Sequence, residues 1–393
     1  LGLGVLQQRI AEVPKGEVRF ALATVFSDIL RYQNMLCRYD TSALKCQDIF
    51  SVHGFPVGLV QCENNLTGIP KVGSGGFRHF VEKYMRAKQY CVQPFETMAI
   101  GRTKRTIPIR GESISADLTC ELPRGDRRLA FLKCAPAATM PLDAESLDGV
   151  FTDPPYFANV QYAELMDFCY AWLKRLIGAE IPEFNAATTR SPLELTGNIT
   201  RGRDIEHFAA GLSEIFCHYA DALRIGAPFV FTYHHNDPAA YAPLVLALLD
   251  AGLYCTEVIP APAEMAASIH INGTGSSTLD SVFVSRRQTP LPCNLPSLTE
   301  LAERLARDCA QIAAGGVSVT LGDAKCLASG HIARWAIHAL YTRWPDYSGS
   351  SVASRLDVAG LTIKELAMLY SVEEMAIRAI RAPIRDESEL ILI

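Results

Sequence analysis

The stretch Leu147-Asp148-Gly149-Val150-Phe151-Thr152-Asp153-Pro154-Pro155-Tyr156 decides how this chain is read. An apolar run of strand character ends abruptly in an acid, two prolines and an aromatic ring. Proline fixes φ near −65° and has no backbone N–H, so Pro154-Pro155 makes a stiff turn whose carbonyls accept hydrogen bonds without a competing donor. Asp153 adds a carboxylate acceptor. Tyr156 adds a ring face for stacking, a contact worth about 1–3 kcal/mol when the partner is a nucleic-acid base. Together these residue types form a cup for a planar amine. The exocyclic amine of adenine or cytosine is a poor nucleophile because its lone pair is delocalised into the ring, so a methyl acceptor of this kind needs acceptors around its nitrogen. Stacking on Tyr156 would offset much of the cost of unstacking a base, roughly a few kcal/mol.

Continued through Phe157-Ala158-Asn159-Val160-Gln161-Tyr162, the motif resembles the catalytic motif of S-adenosylmethionine-dependent amino-methyltransferases that act on DNA. The longer stretch from Thr152 to Arg175 is similar to a bacterial and archaeal family of large adenine-specific DNA methylases, catalogued mostly as a domain of unknown function. The resemblance implies a Rossmann-like methyltransferase sheet, S-adenosylmethionine as methyl donor, and DNA as partner with a flipped adenine or cytosine as acceptor. Carried over by position, it places Asp153, Pro154, Pro155 and Tyr156 at catalysis, and Tyr156, Phe157, Asn159 and Tyr162 against the base. Thr152 and Asp153 fall beside the cofactor. Relatives that act on RNA bases or glutamine side chains usually carry an asparagine in place of Asp153, which favours DNA.

The chain departs from this pattern at the cofactor. Folds of this kind hold the nucleoside with a glycine-rich loop after the first strand. Here the cluster Val72-Gly73-Ser74-Gly75-Gly76-Phe77 follows Asn64-Asn65-Leu66-Thr67-Gly68-Ile69-Pro70, which is turn chemistry rather than a strand, and it reads as a loop capping a helix from about Phe77 to Gln89. Val317 to Asp323 has the strand-then-Gly-Asp form of a nucleoside-contacting acid, without a glycine-rich partner strand. A cofactor-binding segment upstream of Leu1, or in a second subunit, is therefore expected. The alternative to an enzyme is a non-catalytic DNA-binding or regulatory subunit that keeps the base pocket.

With 393 residues, 49% hydrophobic and 20% charged, the chain can bury a sizeable core. No stretch approaches the ~20 apolar residues of a membrane span. Twelve cysteines are scattered without a C-x-x-C pair, which points to a reduced, cytoplasmic protein rather than a disulfide framework. Neither cysteines nor histidines cluster as metal ligands do, so no metal is expected. A G-x-S-x-G elbow is missing, which leaves a hydrolase without support.

The fold expected is α/β, with the methyltransferase sheet between helical N- and C-terminal regions. Residues 1–145 read as helical, with apolar periodicity over Gln7 to Arg38, and then as irregular and basic. Between Lys71 and Lys133 thirteen basic residues stand against six acidic ones, an excess of seven inside a chain of net charge −5. Such a patch suits DNA phosphates, and Arg102, Lys104 and Arg105 are its candidates for backbone contact. Residues 146–290 read as the catalytic region. A helix at about Tyr162 to Ile177 and a polar connection from Ile181 to Arg203, placed to cover a base pocket, lead to a helix at about Ile205 to Arg224. An apolar strand then runs into Tyr233-His234-His235. Ligands of open α/β sheets bind at the carboxyl ends of strands, so His234 and His235 are expected beside Asp153, where either could contact the base. A helix over Tyr241 to Leu253 and strands at Tyr254 to Pro260 and Leu279 to Arg286 complete the sheet, the last strand running antiparallel as the resemblance implies. Residues 291–393 read as a helical module, with helices at Leu298 to Ala313 and Leu361 to Ile380.

Overall fold

The computed structural model describes residues 1–41, 44–52, 64–70, 75–100, 103–114, 117–119, 129–157, 160–263, 277–287 and 295–381. They group into two compact units, one of Leu1–Ala135 with Tyr162–Pro192, the other of Pro136–Gln161 with Leu193–Ile393. This grouping redraws the expected boundaries at 145 and 290.

The first unit contains helices α1 (Gly2–Ala11), α2 (Glu17–Leu30), α3 (Phe77–Val92) and α4 (Tyr162–Ile177). It also contains three short ladders: β1 (Tyr39–Asp40) with β2 (Lys45–Cys46), β3 (Phe95–Ile100) with β4 (Thr103–Pro108), and β5 (Asp117–Thr119) with β6 (Leu129–Phe131). The periodicity over residues 7–38 is realised as two helices because Pro14 and Gly16, the latter at φ 132°, interrupt it. The helix expected after the motif is present as α4, but it packs with the N-terminal helices. Its Cys169, Leu176 and Ile177 share a core with Ile10, Ala23, Phe26 and Leu30, and Trp172 meets Phe26 edge-on at 6.0 Å.

In the second unit a four-stranded sheet has the order β7 (Val150–Thr152), β8 (Pro228–Tyr233), β10 (Leu279–Arg286), β9 (Tyr254–Pro262). Strand β7 runs parallel to β8, and β10 lies antiparallel to both β8 and β9. Along β8 alternate residues Phe229, Phe231 and Tyr233 are buried, as a pleated strand with one face on a core requires. Phe231 stacks on Phe283 of β10 at 5.0 Å. The helices are α5 (Ile205–Ala222), α6 (Ala242–Asp250), α7 (Leu298–Ala314), α8 (Leu321–Leu340), α9 (Val352–Leu369) and α10 (Val372–Arg381).

The C-terminal helices are not a separate module. Leu301, Leu305, Ile332, Ala336 and Ile363 belong to one core with Phe229, Phe231 and Phe283. Where one helix was expected over 361–380, Tyr370 and Ser371 separate two, with Ser371 at φ 47°. Helix α8 is buried nearly all round. A Cβ on its Gly330 would stand 2.4 Å from Ser281 Oγ, so glycine lets this helix approach β10 closely. Residues 317–320, expected as a strand, are irregular and lead into α8. The mixed α/β class thus holds. None of the described helices is long and apolar enough to cross a membrane.

Candidate functional site

The register of β7 on β8 pairs Thr152 with Phe231, which brings the next residues of the two strands, Asp153 and Thr232, side by side at their carboxyl ends. The Thr232 hydroxyl donates to Asp153 Oδ1 at 2.5 Å, and the Tyr156 hydroxyl lies 3.4 Å from the same oxygen. Asp153 is exposed while Pro154 beside it is buried, so the rigid turn is anchored and the carboxylate faces outward. The Tyr156 ring is wedged edge-on against Tyr233 at 5.0 Å and against His234 at 4.7 Å. Burial raises the Tyr156 phenol well above its ordinary range, and the nearby Asp280 and Asp153 carboxylates push the same way. The phenol therefore stays protonated and is a donor.

His234 is held from behind. Its Nδ1 lies 2.7 Å from Oδ1 of Asp280, a residue of β10 that is 8% exposed. A carboxylate only accepts, so Nδ1 carries a proton and donates it. His235 does something different. Its Nδ1 accepts from the Asp237 backbone N–H at 3.0 Å, and its backbone exchanges hydrogen bonds with the Tyr241 hydroxyl, so it shapes the turn leaving β8. Phe157 packs on Phe208 of α5 at 5.5 Å, an inward contact that makes it part of the core rather than a platform for a base. Asn159 lies outside the described residues. Tyr162 opens α4 in the other unit.

Sequence reasoning missed Thr232, Asp280 and Gln161. The Gln161 amide donates to the Gly197 carbonyl at 2.8 Å and its oxygen accepts from Asn198 at 3.2 Å. The part of the polar connection from Leu193 to Arg203 is thereby tied to the end of the motif. Leu195 fills the space over Gly211, where a Cβ would lie 2.3 Å from a Leu195 methyl. The signals were faint: a hydroxyl at a strand end, and one acid opening an apolar strand.

The candidates for DNA backbone contact are divided. Arg102 lies outside the described residues. Lys104 and Arg105 are exposed on β4, where adjacent strand residues point to opposite faces.

For S-adenosylmethionine the described residues offer little beyond Thr152 and Asp153, both exposed at the end of β7. Of the glycine cluster, residues 72–74 lie outside the described residues, and Gly75 and Gly76 serve close packing in the first unit: a Cβ on Gly76 would lie 2.7 Å from Gly68 Cα, and one on Gly75 2.5 Å from Asn64 Nδ2. Asp323, the other candidate acid, is fully buried and caps α8. These residues do not by themselves fit the cofactor. Among the described residues no group of three His, Cys, Asp or Glu side chains is placed to hold a metal ion. Comparison with protein-family models, curated proteins and solved structures finds no match to this chain.

Proposed function

We propose that this chain carries the base-holding, catalytic end of an S-adenosylmethionine-dependent DNA methyltransferase acting on the exocyclic amine of adenine or cytosine. The observation that carries the reading is the exposed Asp153 carboxylate, fixed by Thr232 at the end of β7, with a rigid turn and the Tyr156 ring beside it. One oxygen of Asp153 is committed to Thr232 and Tyr156, which leaves the other to accept from an amine N–H. The Pro154 carbonyl supplies a second acceptor with no nearby proline donor. Two acceptors on one amine draw its protons outward and return lone-pair density to nitrogen. Because Asp153 is already oriented, little reorganisation is needed as charge develops.

The sheet supports the same reading. Its β10 runs antiparallel to β8 and β9, as the resemblance leads one to expect of the last strand. Among the described residues strand β7 is at the sheet edge, paired on one side with β8, and Phe151 on it is 75% exposed. An open edge bearing an aromatic ring is a template for further strands. Cofactor-binding strands from an upstream segment or a second subunit would cover it. The same edge favours, as a second reading, a DNA-binding subunit that is not catalytic by itself.

Transfer of labelled methyl groups to duplex DNA tests the proposal. Asp153→Ala should abolish transfer while DNA affinity stays within severalfold, and unchanged methylation in that variant would refute the mechanism. Calorimetry separates the two readings. Heat on adding S-adenosylmethionine to this chain alone supports a self-sufficient enzyme, and DNA binding without such heat supports a subunit.

A further inference from the structure

Helix α3 is anchored by its first two turns only. Phe77, Phe80, Val81 and Tyr84, spaced to share one face, pack in a core with Val25 and Ile29 of α2. From Met85 to Ile114 every described side chain is exposed except those of Cys91, Pro94 and Ile109. This run takes in the end of α3 and the β3–β4 hairpin, and two backbone bonds tie them into one arm: the Ile109 N–H donates to the Pro94 carbonyl at 2.9 Å and the Ile114 N–H to the Cys91 carbonyl at 2.8 Å. At their junction the Tyr90 ring meets Phe95 edge-on at 5.0 Å. A two-stranded hairpin is marginal by itself in water, so one with neither face on a core suits a partner that receives it as a ribbon.

The antiparallel register pairs Thr97 with Thr106, Met98 with Arg105 and Glu96 with Ile107. Because alternate residues share a face, one side of the ribbon carries Thr97, Lys104 and Thr106, and the other Met98, Arg105, Ile107 and Glu96. The first side is hydroxyls and an ammonium. On the second, apolar and charged side chains alternate, which leaves no continuous apolar surface for another protein. Along the arm five cations, Arg86, Lys88, Lys104, Arg105 and Arg110, stand against two carboxylates, Glu96 and Glu112, in a chain of net charge −5. Arg86, Lys104, Arg105 and Arg110 are exposed and have no ion pair among the described residues, whereas Lys83, nearer the anchor, is taken by Asp28 at 2.9 Å. Exposed cations gathered against the sign of the whole chain fit a polyanion.

The shape narrows the choice. Strands of this length extend about 20 Å, and a two-stranded ribbon fits the roughly 12 Å wide major groove of B-form DNA. A ribbon seated edge-first there turns its two faces to the two phosphate walls, Lys104 to one and Arg105 to the other. We infer that the α3–hairpin arm is a duplex-DNA clamp that inserts β3 and β4 into the major groove, with Arg86 on the helix behind them contacting the backbone. The inference shares the DNA partner with the proposed function but not its chemistry. An arm that binds duplex in a chain that does not methylate separates the failure of one from the failure of the other.

Fluorescence anisotropy of the full chain with a labelled 20-base-pair duplex, repeated over a salt series, tests the clamp. The paired substitution Lys104→Gln with Arg105→Gln should weaken binding about tenfold or more and lower the slope of log affinity against log salt by about two, and Arg86→Gln should lower it by about one. Unfolding midpoints should stay unchanged, because all three side chains are exposed. Arg343→Gln with Lys364→Gln, which removes two exposed cations of the second unit, is the matched control and should leave affinity and slope as they are. Asp153→Ala should bind as the native chain does. Equal losses in the control and arm variants, a single strand bound as tightly as the duplex, or no measurable duplex binding would overturn the inference, and self-association in place of DNA binding would assign the arm to protein contact instead.

Discussion

Replacing Asp323 by alanine tests how the sheet and the helix behind it are held together. The Asp323 side chain is fully buried and one of its oxygens accepts from Ser277 Oγ at 3.0 Å, Thr278 N at 2.5 Å, Thr278 Oγ1 at 3.1 Å and Leu279 N at 3.2 Å. The other accepts from Thr320 N at 2.7 Å and Thr320 Oγ1 at 2.6 Å. The hydroxyls can turn to other acceptors and the Leu279 N–H also reaches Ser277 Oγ at 3.0 Å, but the backbone N–H groups of Thr278 and Thr320 cannot turn away. Each buried donor left without an acceptor costs about 1–3 kcal/mol. Relaxation and water entry keep the total nearer the roughly 3–5 kcal/mol of breaking a buried charged network. Against a domain stability of about 5–15 kcal/mol, that loss lowers the urea midpoint by about a fifth or more. Urea unfolding followed by far-ultraviolet circular dichroism measures it, and a loss below about 1 kcal/mol would refute the reasoning. The pH dependence gives a second check. Burial alone would raise the Asp323 carboxyl, but the hydrogen bonds from Thr320, Thr278 and Ser277 outweigh it and hold the group below 3.8. A depressed carboxyl stabilises fully above its unfolded value and loses that contribution as pH falls through its folded one. The gap between the native protein and Asp323→Ala should therefore be constant near neutrality and narrow in acid below about pH 3.8.

Two further outcomes follow from the site and the core. Thr232→Val keeps the side-chain shape and removes the 2.5 Å bond to Asp153, so methyl transfer by an active assembly should fall about tenfold or more in kcat with DNA affinity unchanged; an unaltered kcat would show that Thr232 does not orient the carboxylate. For His338, burial lowers the imidazole to about 4, against the backbone bond to Cys255. The unfolded chain then binds a proton that the folded chain refuses, so stability rises with pH from about 4 to 6.5 with a slope of up to about 1.4 kcal/mol per pH unit, and His338→Gln should flatten that slope in denaturant titrations.

What the sequence disclosed follows from how local each signal is. The motif at Asp153 was legible because its chemistry is contiguous, and the strand before it and the bounds of α4 and β10 agree with the periodicities that announced them. The partners of the motif were not legible, because Thr232 and Asp280 reach it only through strand pairing across long sequence separations. Helix α8 left no amphipathic stripe. It is surrounded by the core and its polar residues are absorbed one at a time, Asp323 by its cap, Ser329 by the Lys325 carbonyl at 2.8 Å and His331 by Asp308, so a search for one apolar face passes over it. The same absorption misleads at Asp323, where an acid after Gly322 looks poised for a ribose but is spent on the backbone of residues 278, 279 and 320. That expenditure still bears on the site. Asp323 fixes Leu279, the first residue of β10, and Asp280 next to it holds His234 against the Tyr156 ring. A helix cap on the far side of β10 thus sets how firmly the edge of the proposed base platform is seated, and disorder of the His234 ring in Asp323→Ala, seen as broadening of its nuclear magnetic resonance signals, is the local signature that general destabilisation alone would not produce.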